Sequence, residues 1–193
     1  MTCSRDARVI VQTVLIVGVA MIATRAFAAD ADCKAIGAAL ARQMRTPTHA
    51  WVTRTSEAEG ETTSEVIFAD GVQYVRQYNA WWRGATLKDI VAREKTIAAR
   101  VASRCERLPD EAIGDVPAHL FRREDRPRDD ADGPARSVLR IWISIKRGLP
   151  LREEFEFGSG DAPHSRIVKR FEYDKVSAPV GARVSPITAK PGG

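Results

Sequence analysis

The residues best suited to chemistry in this sequence are few and scattered. Its three histidines, His49, His119 and His164, show no short metal-ligand spacing, so a metal site would need convergence from distant parts of the chain. Glu153, Glu154 and Glu156 resemble the paired carboxylates of acid–base catalysis. Period-two alternation, however, sets Glu154 and Glu156 on one polar strand face beside Arg152, where exposed ion pairs are the expected state. Gly158-Ser159-Gly160-Asp161 lacks the lysine and the following helical pattern of a phosphate loop and reads as a flexible turn. No Gly-x-Ser-x-Gly elbow occurs. The expectation is therefore no catalytic residue, no metal and no cofactor, with a secreted hydrolase kept as an alternative.

The cysteines are informative through their compartment. Arg5 and Arg8 precede an apolar run over residues 9–23, and Ala26-Phe27-Ala28 follows, which is the pattern of a secretory signal peptide over residues 1–28. The run is about 15 residues long against the roughly 20 that span a bilayer, so a retained anchor is the weaker reading. Cleavage removes Cys3 together with Arg5, Arg8, Arg25 and Asp6, lowering the formal charge of +5 by two. Cys33 and Cys105 remain, and in an exported chain two thiols imply one disulfide. With the basic excess reduced, nucleic-acid binding is not expected. A hydrophobic content of 44% in 193 residues suits one globular domain, and 13 Gly and 10 Pro exclude collagen-like and low-complexity classes.

The elements that must position any site follow from periodicity. Ile36, Leu40 and Met44 recur at helical spacing over residues 31–45, and Pro47 ends that helix. Three extended stretches follow over 48–57, 62–69 and 72–78, the last two joined by the two-residue hairpin signal Asp70-Gly71. Residues 86–103 return to helical spacing, with Leu87, Ile90, Val91, Ile97 and Val101 on one stripe and Thr86 with Asp89 as a capping pair. Residues 112–121 read as a strand interrupted near Gly114 and Pro117. The charged stretch 122–134 reads as an exposed loop. Leu139, Ile141, Ile143 and Ile145 alternate with polar positions in a strand over 137–146. Two more strands are expected over 151–157, with Leu151, Phe155 and Phe157 on one face, and over 167–173. Two helices and about seven strands exclude a doubly wound fold, because each parallel pair needs a crossover. An α+β domain over 29–180 on an antiparallel sheet is expected, with a loosely ordered tail over 181–193.

Several local motifs, in this order, resemble the LolA-like superfamily of periplasmic lipoprotein and lipid carriers. They are the N-terminal helix, the Thr-rich strand from Thr48 to Thr55, Ser64-Glu65-Val66-Ile67 and Gly71-Val72-Gln73-Tyr74-Val75 with a following Trp. Ile141-Trp142-Ile143-Ser144 running into Gly148-Leu149-Pro150-Leu151-Arg152 continues the series, and Arg170-Phe171-Glu172-Tyr173-Asp174-Lys175-Val176 with Ala178-Pro179 completes it. The resemblance implies a strongly curved antiparallel sheet, an incomplete β-barrel, with the N-terminal and central helices on its concave face. It also implies a hydrophobic or lipid-bearing ligand held there, and transient contact with a membrane or lipoprotein partner.

Candidate lining residues for such a cavity are Trp51, Tyr74, Trp81, Leu87, Ile90, Val91, Ile141, Ile143, Phe155 and Phe171. Each aromatic among them also suits a filled core. Where Trp81-Trp82 is extended, the two rings face opposite ways. The alternative to a lipid carrier is an envelope protein-interaction domain using Arg140, Trp142 and Lys146 on the outer sheet face.

Overall fold

The computed structural model describes residues 30–130, 137–158 and 164–184. Helix α1 covers residues 30–43 and closes in a turn before Pro47, where the Thr46 hydroxyl donates to the Arg42 carbonyl at 2.9 Å. A meander follows: β1 (Thr48–Ser56), β2 (Gly60–Ala69), β3 (Val72–Gln77) and β4 (Ala80–Thr86). Asp70 and Gly71, both at positive φ, make the expected hairpin turn. The fourth strand was not expected. Its turn is Tyr78-Asn79, with φ of 50° and 62°, and the bulky first residue hides the signal that a glycine would have supplied.

Helix α2 (Leu87–Arg100) starts at the predicted box: the Asp89 backbone N–H donates to the Thr86 hydroxyl at 3.3 Å, and the Asp89 carboxylate accepts from the Thr86 N–H at 3.0 Å. It stops earlier than its periodicity suggests. Val101 turns extended and begins β5 (Val101–Arg107), so Cys105 lies within a strand. Pairing with β7 decides this boundary, since residues 101–107 run in register with residues 127–121.

The loop expected over 122–134 is corrected over residues 122–127, which form a strand, while residues 131–134 lie outside the described part. After the short β6 (Glu111–Ile113), β7 runs from Val116 to Pro127. Its charges do not mark a solvated connection because they are paired across and along the strands. Arg122 meets Glu106 at 3.0 Å and Glu124 at 2.6 Å, while Arg123 meets Asp125 at 3.0 Å. The strands β8 (Ser137–Ser144), β9 (Pro150–Phe157), β10 (Ser165–Glu172) and the two-residue β11 (Arg183–Val184) complete the sheet.

The described residues form eleven strands, more than the seven or so expected. Their order is β11-β4-β3-β2-β1-β10-β9-β8-β7-β5, with β6 beside β7, and among the described residues β11 and β5 are the two edges. Every pairing is antiparallel except β11 with β4. The result is an α+β incomplete barrel. A register shift between Trp142 and Ile143 inserts Leu151 as an extra residue on β9. Leu151 therefore packs with Leu120 and Trp142, on the face opposite Phe155, and does not share a face with Phe155 and Phe157 as alternation alone predicts.

Candidate functional site

Cross-strand partners share a face of the sheet, so the register sorts every strand residue into one of two surfaces. The face under α1, here called inner, carries Phe121, Leu139, Ile141, Ile143, Phe155, Ile167, Phe171, Val52, Val66, Phe68, Val75 and Trp82. The outer face carries a ladder of ion pairs. Arg140 meets Glu156 at 3.3 Å, Arg166 meets Glu154 at 2.8 Å, and Arg152 bonds Glu154 from the other side. An apolar inside and a charged outside identify which surface can hold a hydrophobic molecule.

The inner face is closed over its large side chains in one half, while in the other the small Thr48 and Ala50 are buried but the larger residues are not. Ile36 and Ala39 of α1 form a closed core with Cys105, Phe121, Leu139, Ile141 and Ile143, edged by Cys33, Leu40 and Phe155. The Cys33–Cys105 disulfide, with Sγ–Sγ at 2.00 Å, ties α1 to β5 at this core. In the other half, on β1 to β4 and β10, the inner residues Val52, Val66, Phe68, Val75, Trp82 and Phe171 all stay partly exposed. Helix α2 does not close the gap. It has no buried residue, although its apolar stripe reaches partial burial at Leu87, Ile90 and Val91. Between α2, the start of α1 and the inner side of β5 and β7 lies an open cavity of about 500 Å³, lined by Cys33, Ile97, Ala98, Val101, Arg123 and Asp125 among others.

The residues singled out from sequence are divided by this geometry. Phe155 and Phe171 face inward, and Leu87, Ile90 and Val91 lie along one side of α2. Ile141 and Ile143 are inward but sealed beneath α1. Trp51, Tyr74 and Trp81 point to the outer face, by their pairing with Glu65, Ile67 and Arg76. Trp51, 37% exposed, stacks on His49 with ring centroids 4.1 Å apart and lines an outer groove of about 980 Å³ with Glu65, Arg76 and Arg170. Val52, Val66, Val75 and Trp82 were not singled out. The Asp70-Gly71 turn carries the signal that finds them, because a two-residue hairpin places Val66 opposite Val75.

Charged residues expected to be exposed are corrected as well. Glu154 is only 5% exposed, covered by Arg152 and Arg166, and Glu153 is buried on the opposite face. The adjacent carboxylates thus form no pair. Burial alone would raise the Glu154 carboxyl, but the hydrogen bond from Arg166 and the charges of Arg152 and Arg166 outweigh it and hold it below the ordinary 4.5. A depressed folded value gives stability that is present above about pH 4.5 and lost as pH falls through the folded value. In thermal melts from about pH 7 to about pH 2.5, Glu154→Gln is expected to cost most near neutrality and least in acid. A constant difference between variant and parent would contradict this.

Trp142 is likewise unavailable as the outer contact residue. It is 6% exposed, its indole N–H donates to Glu111 at 2.7 Å, and the Arg152 guanidinium lies 5.1 Å from its ring centre. The histidines stay apart: His49 bonds Glu65, His119 bonds Asp110, and His164 lies at the start of β10. Among the described residues, no group of three or more His, Cys, Asp or Glu is placed to hold a metal ion.

A similar fold, an α+β incomplete barrel, is found in a solved structure, the lipoprotein LppX of Mycobacterium tuberculosis. It superposes with a TM-score of 0.50 at 11% identity, over 78% of this chain and 99% of LppX. The fold is LolA-like. LprF from Mycobacterium bovis gives a TM-score of 0.41 at 7% identity, over 77% of this chain and 96% of LprF. MucB gives 0.41 at 11% identity over 81% of this chain, which spans 64% of the length of MucB. No protein-family model matches the sequence, and a search of curated proteins finds no match. The LolA-like fold therefore rests on geometry, and within it the partly exposed inner residues of β1 to β4 mark the half of the trough that α1 leaves open.

Proposed function

We propose that this chain is an exported, non-catalytic binding protein that holds a hydrophobic or lipid-bearing ligand on the inner face of its LolA-like half-barrel. The observation that carries this reading is the half-filled inner face. Six large apolar side chains, Val52, Val66, Phe68, Val75, Trp82 and Phe171, share one surface without a covering helix. Covering them with an acyl chain would remove apolar surface from water at about 25 cal/mol per Å². The signal-peptide pattern at residues 1–28 and the Cys33–Cys105 disulfide favour an oxidising, periplasmic setting. Residues 1–28 lie outside the described part of the chain, and among the described residues no helix is long and apolar enough to cross a membrane.

Titration with a fluorescent fatty acid tests the reading. Uptake by the purified protein is expected, and Val66→Asp, which places a charge in the centre of the open half, is expected to weaken it at least about tenfold. Unchanged uptake by that variant would place the ligand elsewhere.

A further inference from the structure

Among the cations on the open half of the inner face, Arg183 lies over the Trp82 ring at its edge, 5.7 Å from the ring centre, and two others stand together in its middle. Lys169 on β10 stands directly between Val52 of β1 and Glu153 of β9. Its ammonium donates to the Glu153 carboxylate at 3.0 Å and lies 4.8 Å from the centre of the Phe155 ring. The Glu153 side chain is 3% exposed and that of Lys169 34%, so the carboxylate is buried and the lysine reaches it from a partly exposed position. An ammonium has three donors, and Glu153 takes one of them. Arg54 is the second cation. It lies two residues beyond Val52 on the same face, opposite Ile167, and is exposed with no ion-pair partner among the described residues.

On the outer face Arg83 and Arg170 are also without an ion pair among the described residues, but the ladder on β7 to β10 is neutralised. There Arg122, Arg140, Arg152 and Arg166 each meet a carboxylate. Where β1, β10 and β9 meet on the inner face, Lys169 and Arg54 outnumber Glu153, which leaves one positive charge beside Val52, Ile167 and Phe155. A neutral lipid lying there would take water from both cations and return no acceptor, at a desolvation cost. An acidic head group would instead accept charge-assisted hydrogen bonds from both.

We infer that the ligand carries an anionic head group, a carboxylate or a phosphate, received by Lys169 and Arg54 while its chain lies on Val52, Val66, Val75 and Phe171. This rests on the ligand-binding reading above. The test compares cis-parinaric acid with its methyl ester, the same fluorescent chain with and without the charge, on the full protein. The acid is expected to bind about tenfold tighter than the ester. The preference should fall below about threefold in Arg54→Met, and likewise in the double variant Lys169→Met/Glu153→Gln, with ester affinity retained. The double variant is used because Lys169→Met alone strands a buried carboxylate and destabilises the fold. Competition by dodecyl phosphate against dodecanoate then tells which acid is preferred, and either order supports the anionic assignment. Equal binding of acid and ester overturns the inference and leaves the hydrophobic-ligand reading standing. Binding of neither overturns both.

Discussion

Replacing Cys33 and Cys105 together by alanine is expected to lower the unfolding free energy by about 4 kcal/mol. The bridge spans 72 residues of sequence, so it restricts the unfolded chain over a long loop. Loop-closure entropy grows only with the logarithm of that length, and most of the effect is already reached at far shorter spacings. The bridge also acts on one side of the molecule in particular. Cys33 lies at the edge of the α1 core and Cys105 within it, so without the bridge α1 is held by Ile36, Ala39 and Leu40 and by two hydrogen bonds, Arg107 N–H to Asp32 at 3.0 Å and Arg42 to the Arg147 carbonyl at 2.8 Å. For a chain of this size the loss corresponds to a fall in Tm of about 10 °C. Differential scanning calorimetry of the alanine variant measures it, and a fall of under about 2 °C would show that the bridge contributes little.

Ile141→Ala is expected to cost about 3 kcal/mol, whereas Val52→Ala should cost under about 1 kcal/mol. Both residues face inward, in one row that runs from Val52 through Lys169 and Glu153 to Ile141. Ile141 is 0% exposed and packed among Ile36, Leu139, Phe121 and Ile143, and the surrounding side chains close only partly over a deleted group. Val52 is partly exposed in the ligand-free fold, so its truncation opens no sealed cavity. Urea denaturation of the two variants therefore measures the division of the inner face into a filled and an open half. Equal losses would mean that the open half is packed like the rest. Ile141→Ala should also leave fatty-acid uptake intact in the folded protein, since its side chain lies beneath α1.

Much of the architecture is legible in local chemistry. Asp70-Gly71, the Thr86–Asp89 box, the alternation of β8 and the pairing of Cys33 with Cys105 each act over a few residues or through a compartment, and each is found where expected. The departures arise where long-range pairing overrides a local signal. Residues 101–103 fit a helix by period but join β5 because β7 offers a complete ladder. Residues 122–127 look solvated until Glu106, Glu124 and Asp125 are seen to neutralise their arginines.

The site is less legible than the fold for a related reason. Period two tells that neighbours face opposite ways but not which face is inner, and here both faces carry aromatics. Trp51 and Trp81 are outer residues, while their neighbours Val52 and Trp82 are inner ones. The bulge at Trp142 moves Leu151 across in the same way, and no sequence signal marks it. The position of α1 and the ion-pair ladder opposite it together distinguish the two faces.

Native mass spectrometry of the protein purified after export, followed by solvent extraction, tests the central claim most directly. The account predicts a species heavier than the processed polypeptide by the mass of one small hydrophobic molecule, which is recovered in the organic phase and carries an acidic group. An unliganded polypeptide that also takes up no fatty acid would contradict it.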